Sequence, residues 1–182
     1  MIVDTGSTHS HLRSSDLSQI GFTGQSHESV LMQTTAGVVQ ERLYMLPSVQ
    51  IVGGPPLGPA AVGTCDTCRY RVLGELVLQR LNLRIERDKA SPISWSTNRR
   101  KDLSEDFRFF LEAIIEDGHA TAVNYSGIHI DRATVQWCSE DFKPIEVLDL
   151  KPDEHRRLWG IDPCPVPPSG YFSSVTIAPE SP

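Results

Sequence analysis

Over residues 1–90, apolar positions come in short runs broken by glycine, proline and small polar residues. Met1–Val3 is a short apolar stub. Ser29–Gln33 (SVLMQ) and Val38–Leu46 (VVQERLYML) carry β-branched and aromatic residues, and the small Thr34-Thr35-Ala36-Gly37 between them predicts a hairpin. Val49–Val52 predicts another strand, ended by Gly53-Gly54-Pro55-Pro56, and Ala60–Val62 a further short one. Tyr70–Leu73 leads into Gly74. Glu75–Asn82 then predicts a short helix with Leu76, Val77, Leu78 and Leu81 on its apolar side, and Leu83–Glu86 a closing strand.

The pattern changes after Lys89. Ser91–Lys101 (SPISWSTNRRK) predicts a linker whose Arg99-Arg100-Lys101 is solvated. Asp102–Asp117 is expected to be the clearest helix. Asp102 can cap it with Glu105 three residues on, Phe107, Phe110, Leu111, Ile114 and Ile115 share a face at helical spacing, and Gly118 ends it. Thr121–Asn124, Gly127–Asp131, Thr134–Cys138 and Ile145–Leu148 predict short strands, and Pro152–Trp159 one or two helical turns. The last stretch is Pro-rich and expected to pack poorly. The expected organisation is therefore mainly β: a β domain at residues 1–90, a linker at 91–101, a small α+β extension of unknown role at 102–165, and a Pro-rich tail at 166–182. The aromatic residues Phe109, Phe110, Trp95, Trp137 and Trp159 are expected in a core or on a docking surface.

Composition narrows the function classes. The 182 residues carry 17 Lys+Arg against 23 Asp+Glu, a formal net charge of -6, which argues against a nucleic-acid surface. No apolar run approaches the ~18 residues of a membrane span, and the N-terminus lacks a basic region followed by an apolar core. A soluble, cytoplasmic chain with no membrane partner is expected. Four cysteines, Cys65, Cys68, Cys138 and Cys164, are too few for a disulfide scaffold. Cys65-Asp66-Thr67-Cys68 has the spacing of half a zinc site. Cys138, Cys164, His119, His129 and His155 are available to complete it, but none repeats the paired spacing, so two free thiols in a loop and no metal are expected. His9 and His11 are expected to be partly exposed strand histidines.

The stretch with a chemical signature is Ile2-Val3-Asp4-Thr5-Gly6-Ser7. A carboxylate activates water for amide hydrolysis only in the right protonation state. The chemistry uses two close aspartates sharing one proton, because like charges about 3 Å apart cannot both ionise. Bringing two such turns together requires a small residue where Gly6 stands. Val3 before the aspartate suits a turn leaving a buried strand, the 29–46 hairpin follows at the distance of a flap, and Val72-Leu73-Gly74 opens a short helix further on.

This combination resembles the retropepsin-like aspartic proteases, which include retroviral and retrotransposon enzymes and bacterial relatives. The resemblance covers roughly residues 1–90: Ile2–Ser7 for the active-site loop, Thr34–Gly37 for the flap, and Val72–Leu78 with Asn82–Ile85 for the apolar-apolar-Gly segment and helix. It implies a retropepsin-like acid-protease half-barrel in which Asp4 is catalytic, Thr5 locks the loop pair, Gly6 bonds substrate backbone, Ser7 bonds the carboxylate, and Thr35, Ala36 and Gly37 cover a peptide or protein substrate. One Asp-Thr-Gly per chain implies a homodimer, with no metal or organic cofactor, inhibition by a transition-state mimic such as pepstatin, and an acidic-to-neutral optimum. The family carries at least one strand before this loop, where here only Met1-Ile2-Val3 precede Asp4. The alternative expectation is thus a truncated, inactive protease fold acting as a binding or dimerisation module.

Overall fold

The computed structural model describes residues 1–24, 26, 29–34, 37–85, 93–97, 102–137, 143–158 and 170–177. The chain is mainly β and divides into two compact units, Met1–Arg100 and Lys101–Pro182.

In the first unit the elements are β1 (Ile2–Val3), β2 (Ser10–Leu12), helix α1 (Ser14–Gln19), β3 (Ser29–Thr34), β4 (Gly37–Leu46), β5 (Ala60–Thr64), β6 (Val72–Leu73), helix α2 (Glu75–Leu78), β7 (Leu81–Ile85) and β8 (Ile93–Thr97). The first six strands form one sheet in the order β1-β6-β2-β5-β4-β3. β3 and β4 pair antiparallel from Ser29↔Arg42 to Thr34↔Gly37, as the sequence predicts for a hairpin. Gly37 has φ 118°, a left-handed value that L side chains resist. β5 (AAVGT) is buried at every position, and its small residues let neighbouring elements close on it. Leu17 of α1 packs with Leu46 and Val62, joined by Leu12, Phe22, Tyr44 and Val49. β7 and β8 pair as a separate ribbon, Leu81↔Thr97 to Ile85↔Ile93.

The order of this sheet matters for the site. The chain runs directly from β1 to β2, yet β6 lies between them, parallel to β1 and antiparallel to β2. The connection at residues 4–9 therefore passes the end of β6, where Val72-Leu73 gives way to Gly74.

The second unit contains helix α3 (Ser104–Phe107), β9 (Leu111–Glu116), β10 (His119–Asn124), β11 (Ile130–Trp137), β12 (Ile145–Leu150), β13 (His155–Arg157) and β14 (Gly170–Thr176). The six strands form a sheet ordered β12-β11-β14-β9-β10-β13, with every pairing antiparallel. Its core includes Phe107, Phe110, Val123, Ile130, Val135, Trp137, Leu150 and Val175. Asn124 is fully buried. Its amide nitrogen donates toward the carbonyls of Ile128 (2.8 Å), Leu150 (3.3 Å) and Lys151 (3.0 Å), and its oxygen accepts from the Ser126 amide (3.0 Å) and hydroxyl (2.6 Å).

Several element predictions are corrected. The helix expected over 102–117 is confined to Ser104–Phe107, and Leu111–Glu116 is a strand. The reason lies in Asp117 (φ 49°) and Gly118 (φ 76°), which form the two-residue turn between Glu116 and its partner His119. Asp-Gly with both residues left-handed is the favoured hairpin connection, and Ile114-Ile115 suits a strand. The tail expected to pack poorly supplies β14, whose Val175 is fully buried. The expected linker supplies β8, the expected helical turn at 152–159 contains β13, and the predicted Val49–Val52 strand reduces to an isolated bridge, Gln50↔Pro56. The helix expected over 75–82 stops at Leu78, with β7 beginning at Leu81. Trp159, Cys138, Cys164 and the cluster Arg99-Arg100-Lys101 lie outside the described residues.

Candidate active site

The Asp4 loop is gripped by its own backbone and by the β6–α2 segment. Within the loop, the Gly6 amide donates to Asp4 Oδ1 at 2.9 Å. The Asp4 amide donates to the Leu73 carbonyl at 3.1 Å, and Ile2 does the same to Arg71 at 2.8 Å. From the other side, the first amides of α2 reach back: Glu75 donates to the Ser7 carbonyl (2.7 Å) and Leu76 to the Thr8 carbonyl (3.1 Å). These amides have no partner inside the helix, so the loop uses donors the helix start leaves free. Gly74 seals the junction. Its amide donates to Ser10 Oγ at 3.0 Å, and a Cβ there would collide with the backbone of His9 and Ser10. The structure thus brings together two sequence segments, Asp4–Ser7 and Val72–Gly74, that lie far apart in the chain.

Asp4, Thr5 and Gly6 are exposed and Ser7 is half-buried. The Ser7 hydroxyl does not bond the Asp4 carboxylate. It donates to the His9 carbonyl at 2.8 Å and lies 2.8 Å from His11 Nε2. On the far side of the ring, His11 Nδ1 lies 2.8 Å from Glu41 Oε2, whose side chain is fully buried. The two stand at ion-pair distance. His9 and His11 are 4% and 8% exposed, correcting the expectation of partly exposed histidines. Gly63 is paired with His11 and makes room for this contact, since a Cβ there would strike the Glu41 carboxylate.

Sequence reasoning missed Glu41, yet the signal was present. Val39, Glu41, Leu43 and Met45 alternate along β4, so a strand that turns Leu43 and Met45 inward also turns the glutamate inward. A charge at an inward position demands an explanation.

A polar frame holds the surrounding elements. Arg71 donates to both Asp16 oxygens at 2.6 Å, tying the approach to β6 onto α1. These bonds, helped by the Arg13 amide, hold the Asp16 carboxyl down to a pKa of about 2. The Ser14 amide and hydroxyl donate to Asp66 at 2.8 and 2.9 Å and lower its pKa below the usual carboxylate value, the amide contributing most. Cys65 and Cys68 on either side of Asp66 are joined by a disulfide, Cα–Cα 5.3 Å, which corrects the expectation of two free thiols. His119, His129 and His155 belong to the second unit, where they contact Arg157, Asp149 and Glu116 respectively.

The hairpin expected to act as a flap is described in part. Gly37 opens β4, on the hairpin at the opposite edge of the sheet from β1, while Thr35 and Ala36 lie outside the described residues.

Residues 1–62 match the family described as Aspartyl protease. The match is consistent with a retropepsin-like N-terminal segment and supports a protease-type function. It ends before the Cys65–Cys68 loop and before Val72–Gly74; the latter comes to the Asp4 loop through the fold. No curated protein matches the chain. No helix among the described residues is long and apolar enough to cross a membrane.

Proposed function

We propose that the chain is an aspartic endopeptidase that hydrolyses peptide bonds through a water held between two Asp4 carboxylates, one from each chain of a homodimer. The observation that carries this reading is the clasp on the Asp4 loop: the Asp4 amide on Leu73, the α2 amides on Ser7 and Thr8, and the Gly74 contact that no larger residue permits. A catalytic carboxylate must be positioned by a rigid support, and this loop has one on both sides.

In this reading one carboxylate takes a proton from the water while the other, sharing the single proton of the pair, gives its proton to the substrate carbonyl oxygen. The exposed loop carries one carboxylate, so the second comes from a partner chain. Ile2 and Val3, 44% and 41% exposed on the edge strand beside Asp4, offer apolar surface for that association. The β3–β4 hairpin, with Leu31 and Val38 exposed, serves as the flap over an extended peptide.

The test is cleavage of unfolded casein and of the chain itself by the purified protein, with and without pepstatin, beside Asp4→Asn. The expected result is cleavage that pepstatin blocks and that Asp4→Asn reduces by at least about a thousandfold, in line with loss of a group acting directly in the chemistry. A folded wild-type dimer with no cleavage, or cleavage undiminished in Asp4→Asn, overturns the proposal; the former result favours a binding or dimerisation module.

A further inference from the structure

Beside the Ser7–His11 contact, side chains of metal-ligand type converge from two places in the chain. The sulfurs of Cys65 and Cys68 and a carboxylate oxygen of Glu41 all lie within 4.8 Å of one another. Glu41 is 1% exposed and Cys65 5%. A carboxylate withdrawn from water needs donors or a cation, since a buried unpaired charge costs several kcal/mol. Among the described residues, neither Glu41 oxygen accepts a hydrogen bond.

The Ser7 hydroxyl spends its one proton on the His9 carbonyl, so His11 Nε2 is the donor in its 2.8 Å contact with Ser7 Oγ. On the other side of the ring, His11 Nδ1 lies 2.8 Å from Glu41 Oε2 and holds that carboxylate in place.

The two sulfurs are joined in the structure as a disulfide. We propose that on reduction of this bond Cys65, Cys68 and Glu41 bind a divalent ion of the zinc class, with His11 bracing Glu41 from outside. A dithiol reductant transfers two electrons and two protons to the Cys65–Cys68 bond and itself becomes a disulfide. The ion then displaces the two thiol protons and binds the thiolates. Cys-x-x-Cys spacing lets both sulfurs reach one ion, and two thiolates with one carboxylate suit zinc, leaving a fourth position for water. The loop is also held without the disulfide, by the Ser14 bonds to Asp66 and by the Cys65 amide on the Leu12 carbonyl at 3.0 Å. Glu41, the ligand from β4, is the one that cysteine spacing alone does not reveal. This site stands independently of the peptidase reading.

Cobalt titration of the full chain tests it. The protein is reduced with a dithiol, desalted without oxygen, and titrated with Co²⁺. The expected result is one equivalent bound, with a thiolate-to-cobalt band in the near ultraviolet that Zn²⁺ abolishes at equal stoichiometry. The oxidised wild-type chain, with the same fold and its sulfurs joined, shows no band. Cys138→Ser/Cys164→Ser keeps the band, Cys65→Ser/Cys68→Ser loses it, and Glu41→Gln weakens binding at least tenfold. The proposal is overturned if the reduced wild type shows no band, if the band survives in Cys65→Ser/Cys68→Ser, or if Glu41→Gln binds as tightly as wild type.

Discussion

At the scale of single residues, the Asp16–Arg71 pair makes a pH prediction whose sign follows from its geometry. The two hydrogen bonds from Arg71, with the Arg13 amide, lower the Asp16 pKa to about 2, below its unfolded value near 3.9. A carboxyl with a depressed folded-state pKa adds stability that is fully present above the unfolded value and is lost as pH falls through the folded one. Asp16→Asn is therefore expected to lower the thermal midpoint by a constant amount above about pH 4, with the difference from wild type closing as pH falls toward about 2. Thermal melts of both proteins across that range check it. A gap that persists unchanged near pH 2 contradicts the assignment. The Asp4 turn stood out in the sequence as a candidate, because a carboxylate before a small-residue turn is a local pattern. Glu41 was readable as an inward position of β4, but its neighbours there, Gly63 and His11, were not. Sequence separation hides both.

Between residues and the whole chain, the decisive element is the β6–α2 junction. Val72-Leu73-Gly74 was readable as a motif, but its partner was not: only the placement of β6 between β1 and β2 explains why a glycine is needed there. Gly74→Ala forces a methyl group into the His9 and Ser10 backbone, which cannot swing aside as a side chain would. The expected cost is about 3 kcal/mol, at the upper end of typical overpacking. Urea denaturation of the variant measures it, and a loss below about 0.5 kcal/mol, the size of an ordinary surface substitution, contradicts the clasp. Elements of the second unit were less legible. Phe107, Phe110, Leu111, Ile114 and Ile115 satisfy a helical period, yet Asp117-Gly118 turns the segment back as a hairpin, so the turn chemistry prevailed over the period. In the tail, the buried Phe172 and Val175 stand three apart because the register on β11 skips Ser173, so the simple alternation of a strand is broken as well as preceded by prolines.

For the molecule as a whole, the mainly β character was evident from short apolar runs and frequent turn residues, and the aspartyl-protease match over residues 1–62 agrees with the segment carrying Asp4. The assembly is the claim on which the rest of the functional account depends. One Asp-Thr-Gly loop per chain, exposed beside an apolar edge strand, makes a catalytic pair only when two chains meet. The most direct measurement mixes wild-type and Asp4→Asn chains, unfolded together and refolded at fixed total concentration, and follows peptide cleavage against the wild-type fraction. The account predicts activity proportional to the square of that fraction, because only dimers with two Asp4 carboxylates cleave, and none for Asp4→Asn alone. Activity that falls in simple proportion to the wild-type fraction, or that Asp4→Asn retains by itself, contradicts a catalytic site built from two Asp4 residues.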